Sequence, residues 1–129
     1  MRYKTVTDSQ GKEIRFGASA NTPFLYMSKT GRDINKDLNG MFKIAQRSQE
    51  EEIPFNIEDL KMFSDIAYVM AYQGAEDKSK FPSTVEEWLD ELDAVFSIIT
   101  LLPVIFELWG INQAQTVETK KNLAKLQEK

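Results

Sequence analysis

Two short segments with alternating polar and apolar residues open the chain. Residues 2–7 (RYKTVT) and 12–17 (KEIRFG) contain β-branched and aromatic residues, and the turn cluster DSQG separates them. This pattern is typical of a β-hairpin, and Gly11 can adopt the positive φ that a tight turn requires. Because a lone hairpin is only marginally stable in water, we expect Ile14 and Phe16 to pack against a helix.

Beyond residue 20 the apolar residues recur at helical spacing. Thr22 as N-cap and Pro23 at the first helical position predict a helix of about two turns, which Gly31 ends. Asp33 then caps a longer helix, and Gly40 within it suggests close backbone packing or a slight bend, at a cost of about 1 kcal/mol relative to alanine. The apolar face of this longer helix consists of Ile34, Leu38, Met41, Phe42 and Ala45.

Two polar connections divide the second half of the chain. We predict a loop at residues 48–54 (SQEEEIP), because its three glutamates repel one another and Pro54 disfavours a helical conformation at the residue before it. Asn56 caps the next helix and Gly74 ends it. The inward face of that helix carries Leu60, Phe63, Ile66, Ala67 and Met70. A second polar connection, residues 74–82, follows.

The last helical region begins at a predicted capping box. In residues 83–86 (STVE), the Ser83 side chain would bond the amide of Glu86, and the Glu86 side chain would bond back to the amide of Ser83. We expect a break near Asp93, a kink or division at Pro103 and an end at Gly110. The apolar stripe of this region is Val85, Trp88, Leu89, Leu92, Val95, Phe96 and Ile99.

Together these elements predict an α+β fold that is mostly α, with an N-terminal β-hairpin packed on about five helices. A length of 129 residues suits one domain. We assign residues 1–112 to a single globular domain. Residues 113–129 are polar, and we assign them to a C-terminal tail that is either helical or disordered.

The composition excludes several kinds of catalytic site. The chain has neither cysteine nor histidine, so disulfides, thiolate metal sites and serine–histidine or cysteine–histidine nucleophiles are ruled out. We expect no enzymatic activity, no cofactor and no metal site, although composition alone leaves carboxylate-only hydrolysis or magnesium chemistry open. The most apolar run, residues 94–106, is shorter than the roughly 20 residues of a membrane-spanning helix. We expect it to be a buried core helix, with no membrane association.

The charges are distributed unevenly along the chain. Residues 1–47 carry nine Lys/Arg and four Asp/Glu, a balance of +5, and residues 48–107 carry three and fourteen, a balance of −11. Residues 108–129 add +2, which gives the net charge of −4. The N-terminal cations do not share one helix face. The pattern therefore favours complementary packing or a bipolar partner surface over nucleic-acid binding.

Four consecutive large residues on the short first helix are candidate partner contacts. Phe24, Leu25, Tyr26 and Met27 cannot all face one core, because successive residues of a helix point in different directions. At least one or two of them must meet another element, another subunit or solvent. The alternative is that the hairpin covers one side of this helix and the long helices cover the other.

The densest group of carboxylates lies after residue 83 and consists of Glu86, Glu87, Asp90, Glu91 and Asp93. Among these, Glu87, Asp90 and Glu91 are our candidates for acidic docking contacts. An ordinary solvated helix face, opposite the apolar stripe, would have the same composition. A divalent-metal site is a further alternative.

Residues 12–38 (KEIRFGASANTPFLYMSKTGRDINKDL), followed by an acidic helical half that contains PSTVEEWLDEL, resemble the tail assembly chaperones of long-tailed bacteriophages, as found in phages and prophages of Gram-positive bacteria. The resemblance covers the first forty residues well, and to about residue 112 it is one of helical layout. Its local pattern consists of a strand ending at Phe16, then Ser19-Ala20, Thr22-Pro23, Tyr26, Gly31-Arg32-Asp33 and Asp37-Leu38.

This resemblance implies a non-enzymatic role in the cytoplasm of the bacterial host. Chaperones of this class bind the tape measure protein and keep it soluble while the tail tube polymerises around it, and they are absent from the mature virion. A frameshifted longer form is thought to contact the tail tube protein. The resemblance also implies a homo-oligomer, and we expect neither nucleic acid nor a membrane among its partners.

Two interpretations from other classes remain open. A small helical DNA-binding regulator would use the helices on either side of Gly31 as a helix-turn-helix, although Asp33 and Asp37 would then oppose the phosphates. A carboxylate-dependent metalloenzyme would hold a divalent ion with Glu86, Asp90 or their neighbours.

Overall fold

An N-terminal hairpin followed by helices makes up the fold. The computed structural model describes residues 1–7, 11–51, 56–92 and 101–110, and for residues 45–51 it describes the backbone alone. Strand β1 (Arg2–Thr7) pairs antiparallel with strand β2 (Glu13–Ala18), so that Arg2 lies opposite Ala18. Gly11 has a φ of 85° in the connecting turn, as predicted.

Five helices follow the hairpin in the described part of the chain. They are α1 (Thr22–Thr30), α2 (Ile34–Glu51), α3 (Ile57–Gly74), α4 (Val85–Asp90) and α5 (Leu102–Trp109), with a 3₁₀ turn at Lys78–Lys80 between α3 and α4. This arrangement confirms the predicted α+β fold, mostly α, with a hairpin and about five helices. The predicted C-terminal tail, residues 113–129, lies outside the described residues.

Helix α3 is the centre of the core. Most of its residues from Phe63 to Gly74 are buried, and strand β2 packs directly against it. Ile14 and Phe16 are buried on β2, as predicted, and the Phe16 ring meets Trp88 of α4 edge to face at 6.5 Å. The hairpin is therefore covered by helices on its inner face, which gives it the apolar support that a lone hairpin lacks.

The end of α3 lies unusually close to the backbone of β2. Arg15 donates a hydrogen bond from Nε to the carbonyl oxygen of Gly74 at 2.6 Å. A Cβ atom on Gly74 would overlap the carbonyl group of Arg15. Gly74 ends α3 as predicted, but the next residue, Ala75, has a φ of −67°. Gly74 is therefore required for close approach and not for a left-handed cap.

Other predicted helix ends are confirmed. Gly31 and Gly110 adopt the left-handed conformation after α1 and α5, with φ of 75° and 82°. Asn56 caps α3 by accepting a hydrogen bond from the Asp59 amide at 2.8 Å. Each of these ends depends on neighbours in sequence, which explains why the sequence predicts them.

Two predicted N-caps are displaced by one residue. The residue before α1 is Asn21, whose side chain makes no capping bond, whereas Thr22 lies inside the helix and donates to Gln73 Oε1 at 2.5 Å. The N-cap of α4 is Thr84, which accepts from the Glu87 amide at 3.1 Å. The predicted Ser83 box is therefore wrong.

Three further predictions concern residues 48–54, Gly40 and Pro103. Helix α2 continues to Glu51, so residues 48–51 are helical and not a loop; glutamate and glutamine are good helix formers, which offsets their like-charge repulsion. Among the described residues, a Cβ atom on Gly40 would meet Met62 Cε at 3.9 Å, so close backbone packing does not explain this glycine, and the alternative of a slight bend stays a prediction. Pro103 lies in the first turn of α5, where its missing amide proton costs nothing, so it marks a helix start, in agreement with the predicted division, and not a kink inside α5.

The predicted core helix of residues 94–106 is described only from residue 101 onward. There Leu101, Leu102 and Ile105 are buried. Within the described ranges, no helix combines the length and the apolar character needed to cross a membrane.

Candidate partner-binding surface

Helix α1 is fixed on the core by two buried residues one turn apart. Thr22 and Tyr26 are both fully buried and face α3 and α2. Thr22 Oγ1 accepts from the Ser19 amide at 2.9 Å and donates to Gln73, which joins the start of α1 to the end of α3. Because residues four apart share a helix face, these two anchors determine which side of α1 is turned outward.

The outward side of α1 carries two large apolar side chains. Phe24 is 73% exposed and Met27 is 48% exposed, and Ser28 and Gly31 on the same side are exposed as well. We call Phe24 and Met27, which are three residues apart, the α1 apolar pair. Exposed aromatic and methionine side chains are enriched where proteins bind partners. The pair is therefore the strongest candidate contact on α1.

The other two residues of the predicted quartet are placed differently. Leu25 is partly buried against the core, and Tyr26 is fully buried. Tyr26 therefore cannot serve as a surface contact in this conformation, and its place among the candidate partner residues is corrected. The sequence showed that the four could not all face inward, but it did not show which of them would.

A hydrogen-bond network surrounds the Tyr26 hydroxyl. Tyr26 donates to Asp37 Oδ2 at 2.5 Å, and Arg32 Nη2 donates to the Tyr26 oxygen at 2.9 Å. The Arg32 guanidinium also donates from Nε to Asp37 at 2.9 Å and from Nη2 to Asp65 Oδ2 at 2.7 Å. One arginine therefore joins the α1–α2 turn to α2 and α3.

The environment fixes the charge states of this network. Burial, followed by the hydrogen bond to Asp37, raises the pKa of Tyr26 above its ordinary range. The hydrogen bond to Asp65 raises the pKa of the Arg32 guanidinium above its ordinary range. Tyr26 is neutral and Arg32 is charged at neutral pH even at their ordinary pKa values, and the raised pKa values extend these charge states to more alkaline pH.

Sequence reasoning did not single out Arg32 as a structural centre. The Gly31-Arg32-Asp33 motif and Asp37 were visible in the sequence, but the third partner, Asp65, comes from a helix 33 positions away. Because two carboxylates already hold Arg32, this turn presents no free arginine to a DNA phosphate. That observation does not favour the helix-turn-helix alternative.

The predicted acidic contacts lie on α4, a different element from the α1 apolar pair. Asp90 and Glu91 are exposed, and Glu91 lies 3.8 Å from the Lys12 ammonium. Glu87 is exposed but accepts hydrogen bonds from the amide and hydroxyl of Ser83, at 3.3 and 3.2 Å, and so also stabilises the start of α4. Asp93 lies outside the described residues.

Within the described ranges, no three carboxylates converge in the manner of a metal site. Other exposed large apolar residues there are Met1 and Tyr3 on the hairpin and Ile57 at the start of α3, which is 80% exposed. Sequence reasoning missed Ile57, although its position directly after the Asn56 cap could have indicated an outward-facing first turn.

Comparisons of the chain with family models, with curated proteins and with solved structures gave no match. Two features of the chain bear on its function, the pattern of residues 12–38 and the exposed apolar pair on a helix that the core holds in place.

Proposed function

We propose that this chain is a tail assembly chaperone of a long-tailed bacteriophage. In this proposal it binds the tape measure protein in the host cytoplasm and keeps it soluble while the tail tube polymerises around it. The binding is non-catalytic and uses no cofactor. The single observation that carries the proposal is the exposure of Phe24 and Met27 on a helix whose opposite face is anchored in the core.

The chemistry of the α1 apolar pair suits a helical partner. A phenylalanine side chain gains roughly 1.5–3 kcal/mol when it is fully removed from water. An amphipathic helix of the partner can cover Phe24 and Met27 with its apolar face, and water then leaves both surfaces. Such a contact keeps the apolar stripes of a long helical protein from aggregating, as a chaperone of this kind must.

The anchoring of α1 also favours binding. Ordering side chains and loops at an interface costs free energy, and a surface that is already rigid avoids part of this cost. On the core side of α1, Thr22 bonds to Gln73 and Tyr26 bonds to Asp37. Arg32 fixes the turn after α1 through its bond to Asp65. The α1 apolar pair is therefore presented on a pre-organised helix.

The later steps of the proposal concern assembly. The chain acts as a homo-oligomer, and a frameshifted longer form contacts the tail tube protein. Both forms leave before the virion matures. The exposed Asp90 and Glu91 of α4 keep the bound assembly soluble through their charge.

Co-expression tests this proposal directly. Fragments of the tape measure protein encoded in the same phage genome are produced alone and together with this chain. We expect at least one fragment to be insoluble alone, and soluble and copurified in the presence of the chain. Fragments that stay insoluble, or soluble fragments that never copurify, contradict the proposal. Salt-dependent binding of the purified chain to duplex DNA would instead support the regulator hypothesis.

A further inference from the structure

A cavity of about 350 Å³ lies beside the C-terminal end of α1. One wall is a single face of α3, formed by Lys61, Asp65 and Tyr68, whose spacing of four and three residues places them in line. Lys29 and Arg32 border the cavity from the α1 side, and the residues that begin α4 close it.

The cavity has an excess of positive charge. Three cations and one carboxylate line it (Lys29, Arg32, Lys61 and Asp65), a balance of +2 on a chain whose net charge is −4. The single carboxylate, Asp65, is already bonded to Arg32 at 2.7 Å. In the part of the chain that the structure describes, the ammonium groups of Lys29 and Lys61 have no ion-pair partner.

The cavity also contains a threonine hydroxyl that can still donate a hydrogen bond and a lysine ammonium that lies against two aromatic rings. Thr84 Oγ1 accepts from the Glu87 amide, which leaves its own proton free to be donated. The Lys29 ammonium lies 4.6 Å from the ring centre of Tyr72 and 5.6 Å from that of Tyr68, so two aromatic faces hold it in position. A carboxylate in the cavity would thus meet two ammonium groups that form no ion pair within the described residues, and a hydroxyl donor.

The α1 apolar pair lies on the same ridge of α1 as a residue that lines this cavity. Phe24, Met27 and Thr30 follow one another at intervals of three residues, which forms a continuous ridge on a helix surface. Thr30 lines the cavity. A partner segment that packs along Phe24 and Met27 therefore reaches the cavity with the residues next in its own sequence.

We propose that this cavity binds the carboxylate of an aspartate or glutamate in the partner segment that covers the α1 apolar pair. The ion pair sets the direction in which the segment lies, because only one orientation brings its acidic residue to Lys29 and Lys61. This inference rests on the proposed function, since it takes a protein segment as the occupant of the ridge.

The cavity is tested first without any partner. The full chain, labelled with ¹⁵N, is titrated with sodium acetate and, separately, with sodium chloride and inorganic phosphate at matched ionic strength. We expect acetate to give saturable shifts at the amides of Lys29, Lys61 and Thr84 and chloride to give none. Lys61→Gln should weaken acetate binding roughly tenfold, whereas Lys43→Gln on α2 should not change it. Shifts that do not saturate, equal effects of the two variants, or saturation by phosphate alone would overturn the carboxylate site.

The second test uses the tape measure fragment captured by co-expression. Lys61→Gln should raise its Kd roughly tenfold, and Lys43→Gln should leave it unchanged. If the wild-type chain binds the fragment and Lys61→Gln binds it equally well, the carboxylate site is wrong while the chaperone proposal stands. If acetate binds at the cavity but no fragment is ever captured, the chaperone proposal fails and the directional role fails with it.

Discussion

At the scale of single residues, Tyr26 and Phe24 have opposite roles although they are two positions apart on α1. Successive helical residues are rotated by about 100°, so the two side chains point away from each other. Tyr26 is the inward one because its hydroxyl finds Asp37 and Arg32, whereas Phe24 is left with 73% of its surface exposed. The hydroxyl network, together with the buried Thr22, therefore holds α1 with Phe24 on its outward side.

Removal of that hydroxyl should destabilise the fold. Tyr26→Phe leaves the ring in place but removes a bond to a carboxylate and a bond from a guanidinium, so we expect a loss of about 2 kcal/mol in the free energy of unfolding at neutral pH. Urea denaturation followed by circular dichroism measures it. Tyr3→Phe is the matched control, because Tyr3 is exposed; a loss of equal size in both variants would contradict the network's role.

The same variant predicts a pH dependence. The pKa of Tyr26 is raised in the folded state, so the unfolded chain releases this proton first, at its ordinary pKa of about 10. The stability that Tyr26 contributes is complete below about pH 10 and is lost as the pH rises above it. Urea denaturation between about pH 8 and pH 11 should show a steeper alkaline decline for the wild type than for Tyr26→Phe. Parallel curves would disagree with the assignment.

Glycines 40 and 74 provide a second test at this scale. Gly74→Ala places a methyl group into the carbonyl of Arg15, so the backbones of α3 and β2 must separate, and we expect a loss of roughly 1–3 kcal/mol. The methyl group of Gly40→Ala would lie 3.9 Å from Met62 Cε, which is an ordinary contact. This substitution should therefore stabilise α2 by up to about 1 kcal/mol. Thermal unfolding of both variants measures the difference, and an equal effect of the two substitutions would refute the close approach.

At the scale of elements, the capping box of α3 is the best-defined helix start. Asn56 accepts from the Asp59 amide at 2.8 Å, and Asp59 accepts in return from the Asn56 amide at 3.4 Å. Asn56→Ala should reduce the free energy of unfolding by about 1 kcal/mol. Asn39→Ala, on the exposed side of α2, is the control and should have no effect or a slightly stabilising one. Chemical denaturation distinguishes them.

The starts and ends of the helices show which features could be predicted from the sequence and which could not. Gly31, Asn56 and Gly110 act through neighbours in sequence, and their predicted roles are confirmed. The starts of α1 and α4 were misplaced by one residue because Thr22 and Ser83 bond partners outside the cap geometry. Gly74 looked like an ordinary helix stop, since its real constraint, the backbone of β2, is distant in sequence.

Part of the candidate site could likewise be predicted from the sequence, and part of it could not. Because α1 carries four consecutive large residues and successive helical residues point in different directions, the sequence predicts that at least one or two of them face away from the core. Which residues they are depends on the buried Thr22 and Tyr26, and the partner of Thr22, Gln73, is 51 positions away, so no local pattern reveals it. The cationic cavity was not predicted, because Lys29 and Lys61 come together only when α1 packs beside α3.

At the scale of the whole molecule, the uneven charge of the chain is used within the fold. Lys4 pairs with Glu107 at 2.9 Å, Lys12 with Glu91 at 3.8 Å and Arg32 with Asp65 at 2.7 Å. Each pair joins the basic N-terminal portion to the acidic middle portion, as the expected complementary packing requires. Lys29 and Lys61 of the cavity take part in none of these three pairs.

The partner contact proposed for the whole molecule is the α1 apolar pair. The most direct test is the Kd of a captured tape measure fragment for Phe24→Ser/Met27→Ser, compared with Ile57→Ser. Both variants replace exposed apolar residues, so both should keep the wild-type melting temperature. We predict that Phe24→Ser/Met27→Ser raises the Kd at least roughly thirtyfold and that Ile57→Ser leaves it unchanged. An unchanged Kd in the double variant, with the fold intact, would contradict the account.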